Sequence, residues 1–160
     1  MKTVTSLTTI PENSLIAKGF DKIDYCDTFR IVKTTSDTAE TIAAKIFKLP
    51  IWVKWLMKIR NWIVGIFGLK TDKEKPEGQT SFFTIIEQNE NEIVMGEKDK
   101  HLDFRTSVFL DRENSFVYLT TIVSFQNIFG RLYFLPVKPF HKIIVKSCIK
   151  QIKQELPHPK

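Results

Sequence analysis

Along this chain the spacing of hydrophobic positions switches between two and the helical three-to-four, and the elements follow from the switches. Residues 25–33, YCDTFRIVK, alternate as a strand does. Tyr25, Asp27, Phe29 and Ile31 share one face, and Cys26, Thr28, Arg30 and Val32 share the other. A helix start follows: Asp37 can cap, and Glu40 completes a box-like pattern. Ala39, Ile42, Ala43, Ile46 and Phe47 then recur with helical spacing, and the run stops before Pro50. Pro50 suits the first turn of a second helix, residues 51 to about 67, which is apolar nearly all round. Its polar stripe is narrow (Lys54, Lys58, Asn61), and Trp52, Trp55 and Trp62 lie near one another. Such a helix is either largely buried or lies in a membrane interface; burial is the expectation, because a sheet must be covered.

After a polar loop at residues 68–79, period two returns. Strands are expected at 80–88, 92–97, 101–110 and 115–125, joined by connections of hairpin length rich in Asn, Asp and Lys. That is an antiparallel meander. In the third of these, Leu102, Phe104, Thr106, Val108 and Leu110 oppose His101, Asp103, Arg105, Ser107 and Phe109. The fourth is apolar on both faces, as a central strand covered on both sides would be.

The last long stretch, residues 127–155, reads as an amphipathic helix that Asn127 can cap. From Val137 onward, Val137, Phe140, His141, Ile144, Val145, Cys148 and Ile152 fall within an arc of roughly 140°. Lys138, Lys142, Lys146, Lys150 and Lys153 fall opposite. Pro136 and Pro139 predict a kink, or two pieces meeting there. Residues 1–20 read as an extended lead-in pinned by Leu15, Ile16 and Phe20, and residues 156–160 as a tail. No repeat, low-complexity run or heptad series interrupts the chain. The fold class is α+β, with one domain over residues 1–160.

Composition adds two points. Aromatics are abundant (13 Phe, 3 Trp, 3 Tyr), which implies a large core or an aromatic-lined cavity. The net charge of +6 permits contact with nucleic acid or anionic lipid but requires neither. No aromatic residue interleaves with the lysines after Phe140, so base stacking is unsupported and no nucleic-acid partner is expected. Cys26 and Cys148 form no CxxC pattern and read as buried, reduced thiols of a cytoplasmic protein. The N-terminus lacks the apolar run of a signal peptide, and the most apolar stretch carries too many charges to span a membrane.

Few residues offer chemistry. The alternation Glu97, Asp99, His101, Asp103 is the one candidate metal set, broken where Asp99 falls in a turn, so neither metal nor cofactor is expected. No GxSxG or glycine-rich phosphate loop occurs. His141 and Cys148 share a stripe but stand roughly 10 Å apart along the axis, too far for direct activation. Acid–base work is the open possibility: His141 lies near the centre of the apolar arc, and the strand faces bearing Asp27 or His101, Asp103 and Arg105 can meet it if they look inward.

The order strand, two helices, meander, long C-terminal helix resembles the START-like helix-grip superfamily, which includes polyketide cyclases and the birch-pollen-allergen type. The meander is shorter than the usual six strands. Local strings are more specific: Asp24-Tyr25-Cys26-Asp27-Thr28-Phe29, Arg60-Asn61, Phe67-Gly68-Leu69, His101-Leu102-Asp103-Phe104-Arg105, NIFGRLY at 127–133 and Pro139-Phe140-His141-Lys142. Over roughly residues 10–153 they resemble a bacterial domain-of-unknown-function family (number 2867) grouped with the START-like proteins. The family has no established activity, so no residue role carries over. The resemblance implies an antiparallel sheet wrapped around the long helix, with two shorter helices between its first two strands. It also implies a small hydrophobic or amphipathic ligand, or a lipid, held between helix and sheet. The residues expected to line that cavity are Tyr25, Asp27, Arg105, Tyr118 and His141, with Asp27 and Arg105 orienting a polar end. The alternatives are a cyclase, dehydratase or isomerase using His141 or Asp27 as acid–base group, and a peripheral membrane-surface module contacting lipid through Trp52, Trp55 and nearby lysines.

Overall fold

A computed structural model describes residues 4–33, 35–48, 83–98 and 100–155. In chain order they form β1 (Thr5–Leu7), β2 (Tyr25–Val32), α1 (Ala39–Ile46), β3 (Thr84–Gln88), β4 (Glu92–Lys98), β5 (Leu102–Asp111), β6 (Phe116–Phe125) and α2 (Ile128–Glu155). The helix expected over 51–67, with its tryptophans, lies outside the described residues, as do the loop at 68–79, Asp99 and the tail. The protein is α+β: six antiparallel strands in the order β1-β2-β6-β5-β4-β3, with α2 packed on α1, β6 and β2.

The lead-in is pinned by Leu15, Ile16 and Phe20, and part of it is a strand. Thr5, Ser6 and Leu7 pair with Arg30, Phe29 and Thr28 and add a short strand to the otherwise free edge of β2. The opposite edge, β3, is disrupted between Ile85 and Glu87, a bulge that blunts it against further pairing.

Register assigns every side chain to a face, because directly paired residues of antiparallel strands point the same way. Phe29, Leu119, Val108 and Ile93 form one row across β2, β6, β5 and β4. Asp27, Thr121, Thr106 and Met95 form the next row. This inner face meets α1 and α2 in a core that includes Ile42, Ile46, Val145, Cys148 and Ile152. The outer face carries Thr28, Thr120, Ser107 and Val94, and the lead-in covers part of it: Ile16 is fully buried beside Val94 and Ile122. Burying that one side chain contributes about 1.5–3 kcal/mol. β6 is therefore covered on both sides, which is why it is apolar on both.

The start of α1 is capped one residue later than expected. Thr38 is the N-cap and accepts from the Thr41 N–H at 3.3 Å, while Asp37 pairs with Lys45 at 2.7 Å. Asn127 caps α2: its Oδ1 accepts from the Gly130 N–H at 3.1 Å, and its amide donates to the Lys100 carbonyl at 3.1 Å. Gly130 packs so closely on the turn before β5 that a Cβ there would meet the His101 carbonyl oxygen. Only glycine allows that approach.

α2 is one helix through Pro136 and Pro139, not two pieces. Both prolines lie on its exposed side, where the carbonyls they release from intrahelical bonding can be reached by water. Its inward face also sits slightly off the expected arc. Phe140 is exposed, whereas Phe134 and Ile149 are buried, so the face centres on His141, Val145, Cys148 and Ile152. The helix turns to seat residues 145–152 over α1, and that leaves Phe140 outside.

Candidate functional site

The inner row that begins at β2 is polar in an otherwise apolar face. Asp27 is 4 % exposed, and Thr121 and Thr106 are buried beside it in register across β6 and β5. Alternation places Tyr25 on the same face as Asp27, two residues earlier. Its hydroxyl donates to Asp27 Oδ2 at 2.8 Å. From above, α2 brings His141 Nε2 to 3.4 Å from Asp27 Oδ1. The Tyr25 ring is held edge-on by Phe134, with centroids 4.8 Å apart, and Lys138 Nζ lies 5.2 Å from its centroid. The structure thus brings together Tyr25, Asp27 and His141.

The carboxylate is the hub, and among the described residues its partners do not saturate it. An ionised carboxylate has about four acceptor sites. Tyr25 fills one at good distance, and the His141 contact is longer than the 2.7–3.2 Å of an ordinary N–H···O bond. The Thr121 hydroxyl bonds Thr106 at 3.5 Å, also long. Burial, and then the bond to Asp27, push the Tyr25 phenol well above its usual range, so it stays a donor at neutral pH. Phe104 and Phe125 on the strands and Val137 and Ile144 on α2 are only partly buried.

Arg105 and Tyr118 do not join it. Arg105 pairs with Gly96 and Ile122, and Tyr118 with Arg30 and Phe109, which places both on the outer face. The Arg105 guanidinium donates to the carbonyls of Lys18 at 2.6 Å, Ile16 at 3.3 Å and Gly19 at 3.5 Å, and lies 4.9 Å from the Phe20 ring centroid. It clamps the lead-in. Tyr118 stacks on Phe109 at 6.0 Å. The expectation that Asp27 and Arg105 orient one polar end is therefore corrected: the sheet stands between them. The alternation of β5 was readable, but which side faced the helices depended on what covers each face.

A cleft of about 540 Å³ does occur on the outer side, lined by Phe20, Lys22, Gly96, Asp103, Arg105 and Ser124 among others. Burial raises the Asp103 carboxyl, and Arg105 and Lys98 partly oppose that. The cleft is mixed in charge and remote from Asp27 and His141, so the chemistry and this concavity do not coincide.

Glu92 is the buried group that sequence reasoning missed. It is 1 % exposed on the outer face and accepts from Ser14 Oγ at 2.6 Å, from the Leu15 N–H at 2.6 Å and from Ser107 Oγ. The only signal was its even-numbered register with Val94 and Gly96. The metal-like alternation does not converge: Glu97 pairs with Phe104 on the inner face, Asp103 with Ser124 on the outer, and His101 contacts Asn127 in the turn. Among the described residues no group of three or more His, Cys, Asp or Glu can hold a metal ion, and no helix is long and apolar enough to cross a membrane.

Fold and site define an α+β protein in which a carboxylate-centred polar cluster lies under a C-terminal helix. Residues 19–148 match the family described as Protein of unknown function (DUF2867), and the chain belongs to that family. No curated protein and no solved structure matches it.

Proposed function

We propose that the protein binds a small amphipathic molecule between α2 and the inner face of the sheet, in the manner of a helix-grip protein, with its polar end on Asp27. The observation that carries this is the unsaturated, buried carboxylate at the head of the Asp27–Thr121–Thr106 row. Open acceptor sites beside hydroxyls suit a ligand that donates, an alcohol or a protonated amine, in preference to a carboxylate. The partly buried Phe104, Val137 and Ile144 supply apolar surface for the rest of the molecule. Sheet order and the seat of α2 on one face support the helix-grip reading. Calorimetric titration of the full chain with decanol, decylamine and decanoate tests it. The alcohol or amine should bind and decanoate should not. Asp27→Asn should weaken the bound probe about tenfold to a hundredfold, the worth of one hydrogen bond to a charged group. Affinity unchanged in Asp27→Asn, but lost in Arg105→Gln, would move the site to the outer cleft.

A second reading has one specific observation in its favour. Asp27 beside Nε2 orients the His141 imidazole and leaves Nδ1 as the atom that would move a proton, the arrangement of an isomerase or dehydratase. On that reading His141→Gln retains ligand affinity and abolishes turnover. A variant that loses affinity without any turnover in the wild type returns the residue to a binding role.

A further inference from the structure

The first half of α2 has a second apolar face that the core does not use. At 100° per residue, Phe134, His141, Val145, Cys148 and Ile152 point toward the sheet. On the opposite side Ile128, Phe129, Leu132, Leu135, Phe140 and Ile143 fall within an arc of roughly 140°. These six side chains are between 49 and 66 % exposed. The stripe runs about 22 Å along the helix, and exposed Pro136 and Pro139 lie within it. Scattered exposed leucines are ordinary, but a continuous stripe of this length marks an interaction surface.

Charge says what kind of surface. Arg131, Lys138 and Lys142 run along one border of the stripe, all exposed. Where the apolar residues stop after Ile143, the same face continues as Lys146 and Lys150. From residue 128 to residue 150 the helix contains no acidic residue. A second copy packed on the same stripe would bring two cationic borders together with nothing of opposite sign between them. An exposed apolar stripe with a basic border is instead the pattern of a helix that lies in the headgroup plane of an anionic bilayer.

We infer that the outward face of α2 docks on an anionic membrane surface, with Leu132 and Leu135 entering the acyl boundary and Lys142, Lys146 and Lys150 meeting the headgroups. This face is opposite the one that carries His141, so docking does not depend on what binds beneath the helix. The membrane contact expected through Trp52 and Trp55 involves other residues, outside the described ones.

Sedimentation of the full chain with vesicles tests the inference. Phosphatidylcholine vesicles containing about a third phosphatidylglycerol should pellet the protein at low salt, and phosphatidylcholine alone should not. High salt should release it. The pair Lys142→Gln and Lys146→Gln should weaken binding by about 25-fold, from roughly fivefold per lysine. The pair Leu132→Gln and Leu135→Gln should weaken it tenfold or more. All four positions are exposed, and unchanged thermal unfolding of each pair separates lost docking from lost folding. Failure of the wild type to pellet with anionic vesicles at low salt would overturn the inference, as would binding indifferent to both pairs. A concentration-dependent dimer that the leucine pair abolishes would assign the stripe to a second copy and would overturn it too.

Discussion

Removing the Glu92 carboxylate should unlatch the lead-in from the sheet. This side chain is 1 % exposed, and one oxygen accepts from both Ser14 and Ser107 while the other accepts from the Leu15 N–H. Hydrogen bonds to an ionised group contribute about 1.5–3 kcal/mol each, and deleting one partner of a buried charged network costs about 3–5 kcal/mol, because the remaining donors stay desolvated. Glu92→Ala should lose stability in that upper range. Glu92→Gln is the sharper test. Its amide oxygen can still accept from the two serine hydroxyls, but its NH₂ then confronts the Leu15 N–H, donor against donor. The expected loss is about 2–3 kcal/mol, or roughly 5–10 °C in Tm for a domain of this size. Urea unfolding followed by circular dichroism gives the energy, and limited proteolysis reports whether residues 11–20 have become accessible. A Glu92→Gln protein within about 0.5 kcal/mol of the wild type, with its lead-in still protected, would refute the latch.

Other outcomes follow from single contacts. Gly130→Ala should destabilise by about 1–3 kcal/mol, because its Cβ meets the His101 carbonyl where α2 crosses the turn; urea unfolding reads this, and a neutral substitution would mean that the approach relaxes freely. Asp24 has its carboxyl held below the usual range by Lys22 and by the Phe125 N–H. A depressed folded pKa contributes stability above the unfolded carboxylate pKa, lost as pH falls through the folded value, so Asp24→Asn should narrow its deficit against wild type as pH drops below about 4. Burial pushes the Cys148 thiol up to about 11, so iodoacetamide at pH 8 should leave it unmodified in the folded protein and label it in urea.

How much of this was legible in the sequence differs between levels. Strands β2 and β4 to β6 were readable because period two is a local property, and the pairing of Tyr25 with Asp27 follows from the same alternation. The place of His141 on the inward face of α2 was also readable from helical spacing. The partition of polar groups between the two sides of the sheet was not. Asp27 shares a strand face with Tyr25, Phe29 and Ile31, and Arg105 shares one with His101, Asp103, Ser107 and Phe109, but no local pattern records that the first faces a helix and the second a stretch of lead-in. That assignment comes from Glu92 and Arg105 gripping the backbone of residues 15–19, contacts that join positions far apart in the chain. Phe140 was misplaced for a related reason. Its angle lies at the border of the arc, and packing of Cys148 and Ile152 over α1 decides which border is buried.

The central claim is that Tyr25, Asp27 and His141 receive the polar end of a small molecule beneath α2. Native mass spectrometry of the protein purified from its own host, beside an Asp27→Asn variant prepared identically, tests it most directly. The wild type should carry a discrete small-molecule adduct, released on unfolding, that the variant lacks. A wild type without an adduct, or one that Asp27→Asn retains in equal amount, would contradict the claim.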